Sequence, residues 1–310
     1  MRFQKRDAEI ISSIHYFGDG LLAQRQLKKL HFPDVSLRAM QKRMSKLRQQ
    51  NYIMRATNQH WSTKPIPEQI YWLGWKGAIW LADQNDVKVE LPKNTGENQM
   101  RELQRKLRQK GFRWLREPRW SQLHHDIAVG DFFLALKKSA ADLPSIRIDY
   151  WVRESEFRSS VDHVEYKYRN KGGEVVQAKR GVCPDFFFTI LDGERRTVGR
   201  PHRLNLLLEI DMGTHPIGSR FGLQKAVPYA AYIKSPSYKS RFGVNAGVWL
   251  VVTTGKQRMA NLMKQTEERV GMDIQYFLFS NFDELKNANL LTHQVWWKGD
   301  DNKPRSLLSI

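Results

Sequence analysis

Cysteine is nearly absent from this chain, whose 310 residues contain only Cys183. A single cysteine excludes an internal disulfide and a zinc site built from cysteines. Long apolar runs are also missing, since no stretch approaches the roughly 20 residues that a membrane-spanning helix needs. The N-terminal residues lead into an amphipathic pattern and lack the apolar centre of a secretory signal. We therefore expect a soluble cytoplasmic protein with no membrane partner.

Acidic residues are few in comparison with basic ones. Lys and Arg number 51 and Asp and Glu number 32, which gives a formal net charge of +19. Such an excess favours a polyanionic partner, most simply double-stranded DNA. The length is sufficient for two domains, and an apolar fraction of 41% is sufficient for two cores.

Residues 6–82 have the pattern helix, helix, helix, strand, strand, helix. In the third helix, residues 37–50, Ser36 is a suitable N-cap, and apolar residues recur at Leu37, Met40, Met44 and Leu47. We predict a winged-helix DNA-binding domain over residues 1–83, in which this helix enters the major groove. The predicted DNA contacts are Arg38, Lys42, Arg43 and Lys46. The alternative is an ordinary helix with a solvated charged face.

Residues 84–116 are predicted to be a polar linker followed by a basic helix. We expect this helix to pack on the second domain through Phe112 and Trp114 and to line the path of the DNA. Cations with interleaved aromatics are typical of phosphate-binding surfaces. The predicted DNA contacts in this segment are Arg101, Arg105, Lys106 and Arg108.

Residues 117–310 alternate between helical and strand patterns in the order αβββαβ, with an added helix and strand. The prediction for the whole chain is therefore an α+β protein of two domains, the second with a mixed central sheet. At one strand exit, Glu154 and Glu156 are expected to pair with nearby arginines.

Two short acidic segments stand out because each adjoins a strongly apolar run. Asp185 precedes one predicted strand, and Glu209 and Asp211 close the next. Buried carboxylates are costly unless they are paired or bind a cation. Antiparallel pairing would bring Asp185 beside Glu209 and Asp211. We predict a divalent-metal site or its remnant, the alternative being carboxylates that only solvate a strand end.

The spacing of these acids resembles the PD-(D/E)xK nuclease core, in which a similar set holds Mg²⁺ over a phosphodiester. The resemblance implies that Asp185, Glu209 and Asp211 are catalytic, together with Lys225 and His125. It also implies that Asp131, Asp185, Glu209 and Asp211 are ligands of one or two Mg²⁺ or Mn²⁺ ions. Asp211 occupies the place of the motif lysine, which disfavours ordinary nuclease activity. Lys225, on the next helix, is a candidate for the missing cation, and His125 is a candidate ligand or general base. Either residue has a structural alternative, a solvated helix face for Lys225 and a packed core position for His125.

A more specific resemblance covers nearly the whole chain. Residues 125–131 fit H-x-L-x-V-x-D, residues 151–158 fit a W-x-x-E-x-E-L-R-like strand exit, and Pro184-Asp185 follows. Residues 209–216 fit E-x-D-x-G-T-x-P, and Lys225 with Tyr229 fits K-x-x-x-Y. Together these motifs resemble the replication-relaxation family of plasmid and mobile-element proteins. This resemblance implies an N-terminal winged helix and a role in plasmid replication and DNA relaxation.

Three functions remain open from the sequence. The first is a DNA-binding protein of a mobile element whose nuclease-like domain has reduced or absent activity. The second is an active Mg²⁺-dependent nicking enzyme or endonuclease. The third is a transcriptional regulator whose second domain oligomerises. Possible protein partners are a second copy of the chain or other proteins of the element.

Overall fold

The computed structural model describes residues 2–64, 66–169, 172–214, 221–299 and 303–309. It shows a mixed α+β protein divided into two compact units, Met1–Phe133 and Leu134–Ile310. Within the described ranges, no helix combines the length and the apolar character needed to cross a membrane.

The described residues of the first unit form six helices and three short strands. A seventh, longer helix follows, and the boundary between the two units lies within it. The helices are α1 (Lys5–Tyr16), α2 (Gln24–His31), α3 (Leu37–Gln49), α4 (Asn58–Thr63), α5 (Trp75–Asp83) and α6 (Glu97–Gln109), and the longer helix is α7 (Leu123–Ala141). The strands are β1 (Leu21–Ala23), β2 (Ile53–Arg55) and β3 (Ile70–Leu73). They form an antiparallel sheet in the order β1-β3-β2.

Helix α3 begins where the sequence predicts. The Ser36 hydroxyl accepts a hydrogen bond from the Ala39 amide at 3.2 Å and so caps the first turn. Met40, Met44 and Leu47 are buried in the core. Leu37, which was predicted to join them, is 47% exposed. It is the first residue of the helix, and its side chain leans toward the N-terminus and away from the packed turns.

Helix α6 packs in the core of the first unit. Met100, Leu103 and Leu107 are buried there, together with Phe112 and Trp114. The Trp114 indole donates a hydrogen bond to the Leu73 carbonyl at 3.0 Å. The expectation that this segment packs on the second domain was therefore wrong. The apolar positions of α6 give it one buried face, and the sequence does not reveal which core that face contacts.

The second unit is built on a five-stranded mixed sheet. Among its described residues, the unit has seven strands, which are β4 (Ile146–Arg153), β5 (Asp162–Arg169), β6 (Val175–Val182), β7 (Phe186–Asp192), β8 (Arg203–Asp211), β9 (Val248–Thr253) and β10 (Phe277–Asn281). The sheet order is β10-β9-β8-β7-β4, and β5 and β6 form a separate hairpin. Strand β7 is antiparallel to both β4 and β8, whereas β8, β9 and β10 are parallel.

Helices connect these strands. They are α8 (Glu154–Ser159), α9 (Gly193–Thr197), a π-helical turn (Gly222–Ala226), α10 (Val227–Ile233), α11 (Pro236–Phe242), α12 (Lys256–Val270) and α13 (Phe282–Leu285). In this unit 3₁₀ helices lie at Gly271–Tyr276 and Leu307–Ser309, and another lies at Trp120–Gln122 of the first unit. Helices α10 to α12 share a core with the central strands through Tyr229, Phe242, Leu262 and their neighbours. This core holds in place the strand ends where the acidic residues lie.

Candidate functional site

The acidic residues singled out in the sequence lie at the ends of two neighbouring strands. Strands β7 and β8 pair antiparallel, as predicted, with Phe186 opposite Leu208. The Asp185 amide donates to the Leu208 carbonyl at 3.0 Å, and the Asp185 carboxylate accepts from the Ile210 amide at 2.6 Å. Both Asp185 and Glu209 are buried. We refer to Asp185, Glu209 and Asp211 as the acidic cluster.

Two residues from the segment after β8 hold the Glu209 carboxylate. Lys225, in the π-helical turn, forms an ion pair with one oxygen, and the Tyr229 hydroxyl donates to the other at 2.6 Å. Tyr229 stacks on Trp249, with ring centroids 3.8 Å apart and planes 6° from parallel. The Trp249 indole donates to the Tyr229 carbonyl at 3.1 Å. The buried Glu209 carboxylate is thereby both ion-paired and hydrogen-bonded, as a buried charge requires.

The protonation states at Glu209 follow from burial and charge. Burial raises the pKa of Glu209. The attraction of Lys225 lowers this pKa by a smaller amount, so that it stays above its usual value. Burial lowers the pKa of Lys225, but its attraction to Glu209 and Asp185 outweighs this and leaves that pKa raised. Burial and the neighbouring Glu209 raise the pKa of Tyr229, so its hydroxyl stays protonated and donates. The ammonium of Lys225 is the principal positive charge at this carboxylate.

Asp211 has its own set of partners. The Thr253 hydroxyl donates to its carboxylate at 2.7 Å, and the guanidinium of Arg258 forms a two-bond ion pair with it, the Nη2–Oδ1 distance being 3.0 Å. Burial raises the pKa of Asp211, but the donors Arg258 and Thr253 outweigh it and leave the pKa below its usual value. Asp211, which the sequence resemblance aligns with the motif lysine, therefore has the guanidinium of Arg258 beside it.

Arg258 and Thr253 were missed in the sequence, although a signal existed. Strand β9 is parallel to β8, with Thr253 opposite Asp211. Parallel neighbours end at the same edge of a sheet, so the first turn of the helix after β9 faces the residues that close β8. Recognising that β9 is the parallel partner of β8 would have placed the start of α12, and hence Arg258, beside Asp211.

Asp131 and His125 make their observed contacts within the first unit. The Asp131 carboxylate forms an ion pair with Arg25 and accepts from the Gln26 amide at 2.9 Å. The His125 ring lies 3.3 Å from Asp126, whose carboxylate is paired with Arg119 at 2.5 Å. A role for Asp131 as a metal ligand, or for His125 as a ligand or general base, stays a prediction.

The arrangement of the acids favours cation pairing over metal coordination. Among the residues that the structure describes, no three Asp, Glu, His or Cys side chains form a group suited to a metal ion. Glu209 and Asp211 each have a basic side chain as their partner. Coordination of Mg²⁺ or Mn²⁺ by these acids stays a prediction, and it would require at least one of these ion pairs to open.

The basic residues of α3 divide into two groups. Arg38, Lys42 and Lys46 are exposed, and the described part of the chain contains no ion pair of theirs. The guanidinium of Arg43 instead pairs with Asp7, which is fully buried, with an Nε–Oδ1 distance of 2.7 Å. Arg43 therefore supports the packing of α1 against α3. The exposed positive charge of the helix comes from Arg38, Lys42 and Lys46.

The basic residues of α6 are partly neutralised. Arg101 pairs with Glu97 at 2.9 Å, and Glu102 lies 2.7 Å from Arg105 and 3.9 Å from Lys106. Arg108 is exposed, and no ion pair of its side chain occurs among the described residues. The net positive charge of this helix surface is therefore smaller than the count of its cations indicates.

Comparison with known proteins connects these features. The family model described as replication-relaxation matches residues 18–248 of the chain, about three quarters of its length. The chain belongs to the replication-relaxation family. The matched segment of this family member contains α3, the acidic cluster, Lys225 and Tyr229, whereas Arg258 lies beyond it. Two residues of the fourth motif, His215 and Pro216, lie outside the described residues. No curated protein matches the chain.

Proposed function

We propose that this protein binds DNA and acts in the replication and relaxation of a plasmid or other mobile element. In this proposal the first unit is a winged helix that binds double-stranded DNA, and the second is a PD-(D/E)xK-like domain with reduced or absent cleavage activity. The observation that carries the proposal is α3, which buries one face and presents Arg38, Lys42 and Lys46 on another.

The winged-helix interpretation is supported by the order of elements in the first unit. Helices α1, α2 and α3 precede the hairpin of β2 and β3, and β1 completes a three-stranded antiparallel sheet. In winged helices the third helix enters the major groove and the hairpin contacts the flanking backbone. Here the segment between β2 and β3 carries α4, and Lys64 is exposed at its end.

Reduced activity of the nuclease-like domain is supported by the partners of the acidic cluster. In the nuclease motif the lysine two residues after the acid stabilises the attacking water or the phosphate charge. In this chain Asp211 takes that position and is paired with Arg258, while Lys225 binds Glu209 from the next helical segment. Two of the predicted metal ligands, Glu209 and Asp211, thus have protein cations as partners, which supports reduced activity.

The test of DNA binding compares two variants that lose equal charge. The first carries Arg38→Ala, Lys42→Ala and Lys46→Ala on α3. The control carries Lys138→Ala, Lys239→Ala and Lys264→Ala, three exposed residues of the second unit. At fixed salt we expect the α3 variant to bind duplex DNA at least tenfold more weakly than the wild type and the control variant to bind nearly as the wild type does. Equal affinities of the two variants would contradict the assignment of α3.

A second candidate function is metal-dependent DNA nicking, because Asp185 and Glu209 converge at one sheet edge. The test is incubation of supercoiled plasmid with the protein and Mg²⁺ or Mn²⁺. Nicked or linear product that is lost in Asp185→Asn, with DNA binding unchanged, would establish this function in place of reduced activity. Intact plasmid with both metals would support the first proposal.

A further inference from the structure

The connection between β7 and β8 contains a concentration of arginine that the acidic cluster and α3 do not account for. Residues 192–203 include four arginines and two acids. One of them, Arg195, forms contacts within the protein. It pairs with Asp192 and also donates to the Leu308 carbonyl. The remaining three, Arg196, Arg200 and Arg203, are exposed, and we refer to them as the arginine surface.

The arginine surface has little acid to neutralise it. Glu194 is the remaining carboxylate of the segment, and it forms no ion pair in the described part of the chain. Arg147 lies close by, because it pairs across β4 and β7 with Leu191, which in turn pairs with Arg203 on β8. The charge of Arg147 is offset by Asp149, whose carboxylate lies 2.6 Å from the guanidinium. Three arginines against one acid leave this surface with a net charge of about +2.

A buried amide orients one of the three arginines. Arg203 donates from Nε to the side-chain oxygen of Asn205 at 3.2 Å. Asn205 is itself buried, accepts from the Thr189 hydroxyl at 3.2 Å and donates to the Ala246 carbonyl at 3.1 Å. The acceptor that fixes Arg203 is neutral, so the guanidinium is positioned while its charge is retained. Oriented guanidiniums are suited to bidentate contact with phosphate.

This surface lies at the opposite end of the strands from the acidic cluster. Asp185 precedes β7 and Asp192 ends it, and seven residues of strand at about 3.3 Å each separate the two ends by roughly 23 Å. The face of β8 between Arg203 and Glu209 is covered in its middle, where Leu207 is buried in the same core as Tyr229 and Phe242 of the helices. The arginine surface is therefore separate from the candidate catalytic site.

We propose that Arg196, Arg200 and Arg203 form a second DNA contact, which binds the phosphate backbone without reading the sequence. The proposal rests on the proposed DNA-binding function and adds a phosphate-binding surface on the second unit. Exposed guanidiniums with little neutralising acid match the charge of a phosphate backbone, and the excess of cations over the whole chain favours the same partner. The contacts of the arginine surface with the phosphate backbone do not involve α3.

The test measures the affinity of the full chain for a duplex of arbitrary sequence at several salt concentrations. The variant carries Arg196→Ala, Arg200→Ala and Arg203→Ala, and the Lys138, Lys239 and Lys264 triple variant is the matched control. Each lost phosphate contact reduces the slope of log affinity against log salt by about one unit. We expect the slope to fall by about two to three units in the arginine variant and by less than one unit in the control.

Two further variants separate charge from folding. The double variant R196A/R200A leaves the Arg203–Asn205 contact intact, and we expect it to lose about two slope units. Replacement of all three arginines by lysine keeps the charge, and we expect it to retain most of the slope. Loss of binding in the lysine variant together with disturbed circular dichroism would overturn the proposal in favour of a structural role.

The remaining outcomes distinguish this proposal from the function on which it rests. An unchanged slope in the arginine variant, with weakened binding in the α3 variant, would overturn the second contact and leave the proposed function standing. A wild type with no affinity for DNA would overturn both. Binding to vesicles of anionic phospholipid that is lost in the arginine variant, with DNA affinity unchanged, would assign the surface to a membrane and overturn the proposal.

Discussion

Asp211 shows how a single residue changes the chemistry expected of a site. The nuclease motif that the sequence resembles would place a lysine at this position, whereas here a carboxylate accepts hydrogen bonds from Arg258 and Thr253. The motif has its cation on the strand. In this chain the strand β8 carries the acid instead, and the cation comes from α12. A carboxylate held by a guanidinium and a hydroxyl has a role in stability in addition to any role in catalysis.

We predict that Asp211→Asn lowers the free energy of unfolding of the second unit by about 1.5–3 kcal/mol at pH 7, the usual range for hydrogen bonds to charged groups. The pKa of Asp211 is lowered in the folded state, so its contribution is fully present above its unfolded pKa of about 3.9. It is lost as the pH falls through the folded pKa. Urea denaturation of both proteins at pH 7, 5 and 3.5 measures the difference, which should shrink only at the lowest pH. A difference that is constant with pH would contradict the ion pair.

Tyr229 provides a second test at the residue scale. We predict that Tyr229→Phe destabilises the second unit by about 1.5–3 kcal/mol, because the buried Glu209 carboxylate loses a donor. Tyr238→Phe is the matched control, since the Tyr238 hydroxyl donates at 3.0 Å to the neutral carbonyl of Ala246 and should cost only about 0.5–1.5 kcal/mol. Hydrogen exchange of β8 peptides measures the local stability. Equal losses in the two variants would show that Glu209 is not charged.

Short-range ion pairs were predictable from the sequence, whereas long-range ones were not. Glu154 pairs with Arg158 and Glu156 with Arg153, which confirms the expectation for that strand exit. The pairs Arg43–Asp7 and Arg258–Asp211 join residues 36 and 47 positions apart. Such partners depend on which elements pack together, and the charge pattern of a single segment contains no information about that.

At the scale of elements, the two acid-bearing strands were the most predictable part of the fold. Their apolar runs are bounded by charged residues, and the antiparallel pairing of β7 with β8 follows the prediction. Strand β1 and helix α4 were missed. β1 has three residues, which is too short for an alternating pattern to be recognised, and α4 is a six-residue helix within a predicted loop. Helix α11 was also missed, although Ser235 and Pro236 are a typical helix start.

The contact between α5 and the start of β2 requires glycine. A methyl group at Gly77 would lie 2.1 Å from the Tyr52 carbonyl oxygen, a backbone atom that cannot move aside. We predict that Gly77→Ala separates α5 from the sheet and weakens the fold of the first unit by several kcal/mol, as overpacking against backbone does. Hydrogen exchange in peptides covering residues 51–83 should accelerate strongly, with no change in the second unit.

The control for this substitution is Gly255→Ala, at the start of α12. Among the described residues, no atom beyond its two chain neighbours lies within 4 Å of a methyl group added there, and we expect a change of less than about 1 kcal/mol. Unchanged exchange in Gly77→Ala, or equal effects of the two substitutions, would contradict the close packing of α5.

At the scale of the whole molecule, the alternation of helical and strand patterns predicted the mixed α+β class. The chemistry of the partner, which was inferred from the net charge of +19, stays a prediction. The predicted domain limits at residues 83 and 117 stay a prediction, and by compactness the chain divides between Phe133 and Leu134. The polar segment before α6 resembles an interdomain linker. However, α6 and Trp114, which follow it, pack in the core of the first unit. Local polarity identifies a loop, and only the packing of the following helix shows to which unit that loop belongs.

We propose that the excess positive charge of the chain binds DNA, and the affinity of the wild type for duplex DNA as a function of salt tests this most directly. If α3 and the arginine surface together neutralise about six phosphates, log affinity should fall with log salt at a slope of about −5. The affinity would then drop by about a thousandfold between 50 and 200 mM salt. A slope near zero, or no measurable binding at 50 mM salt, would contradict the account.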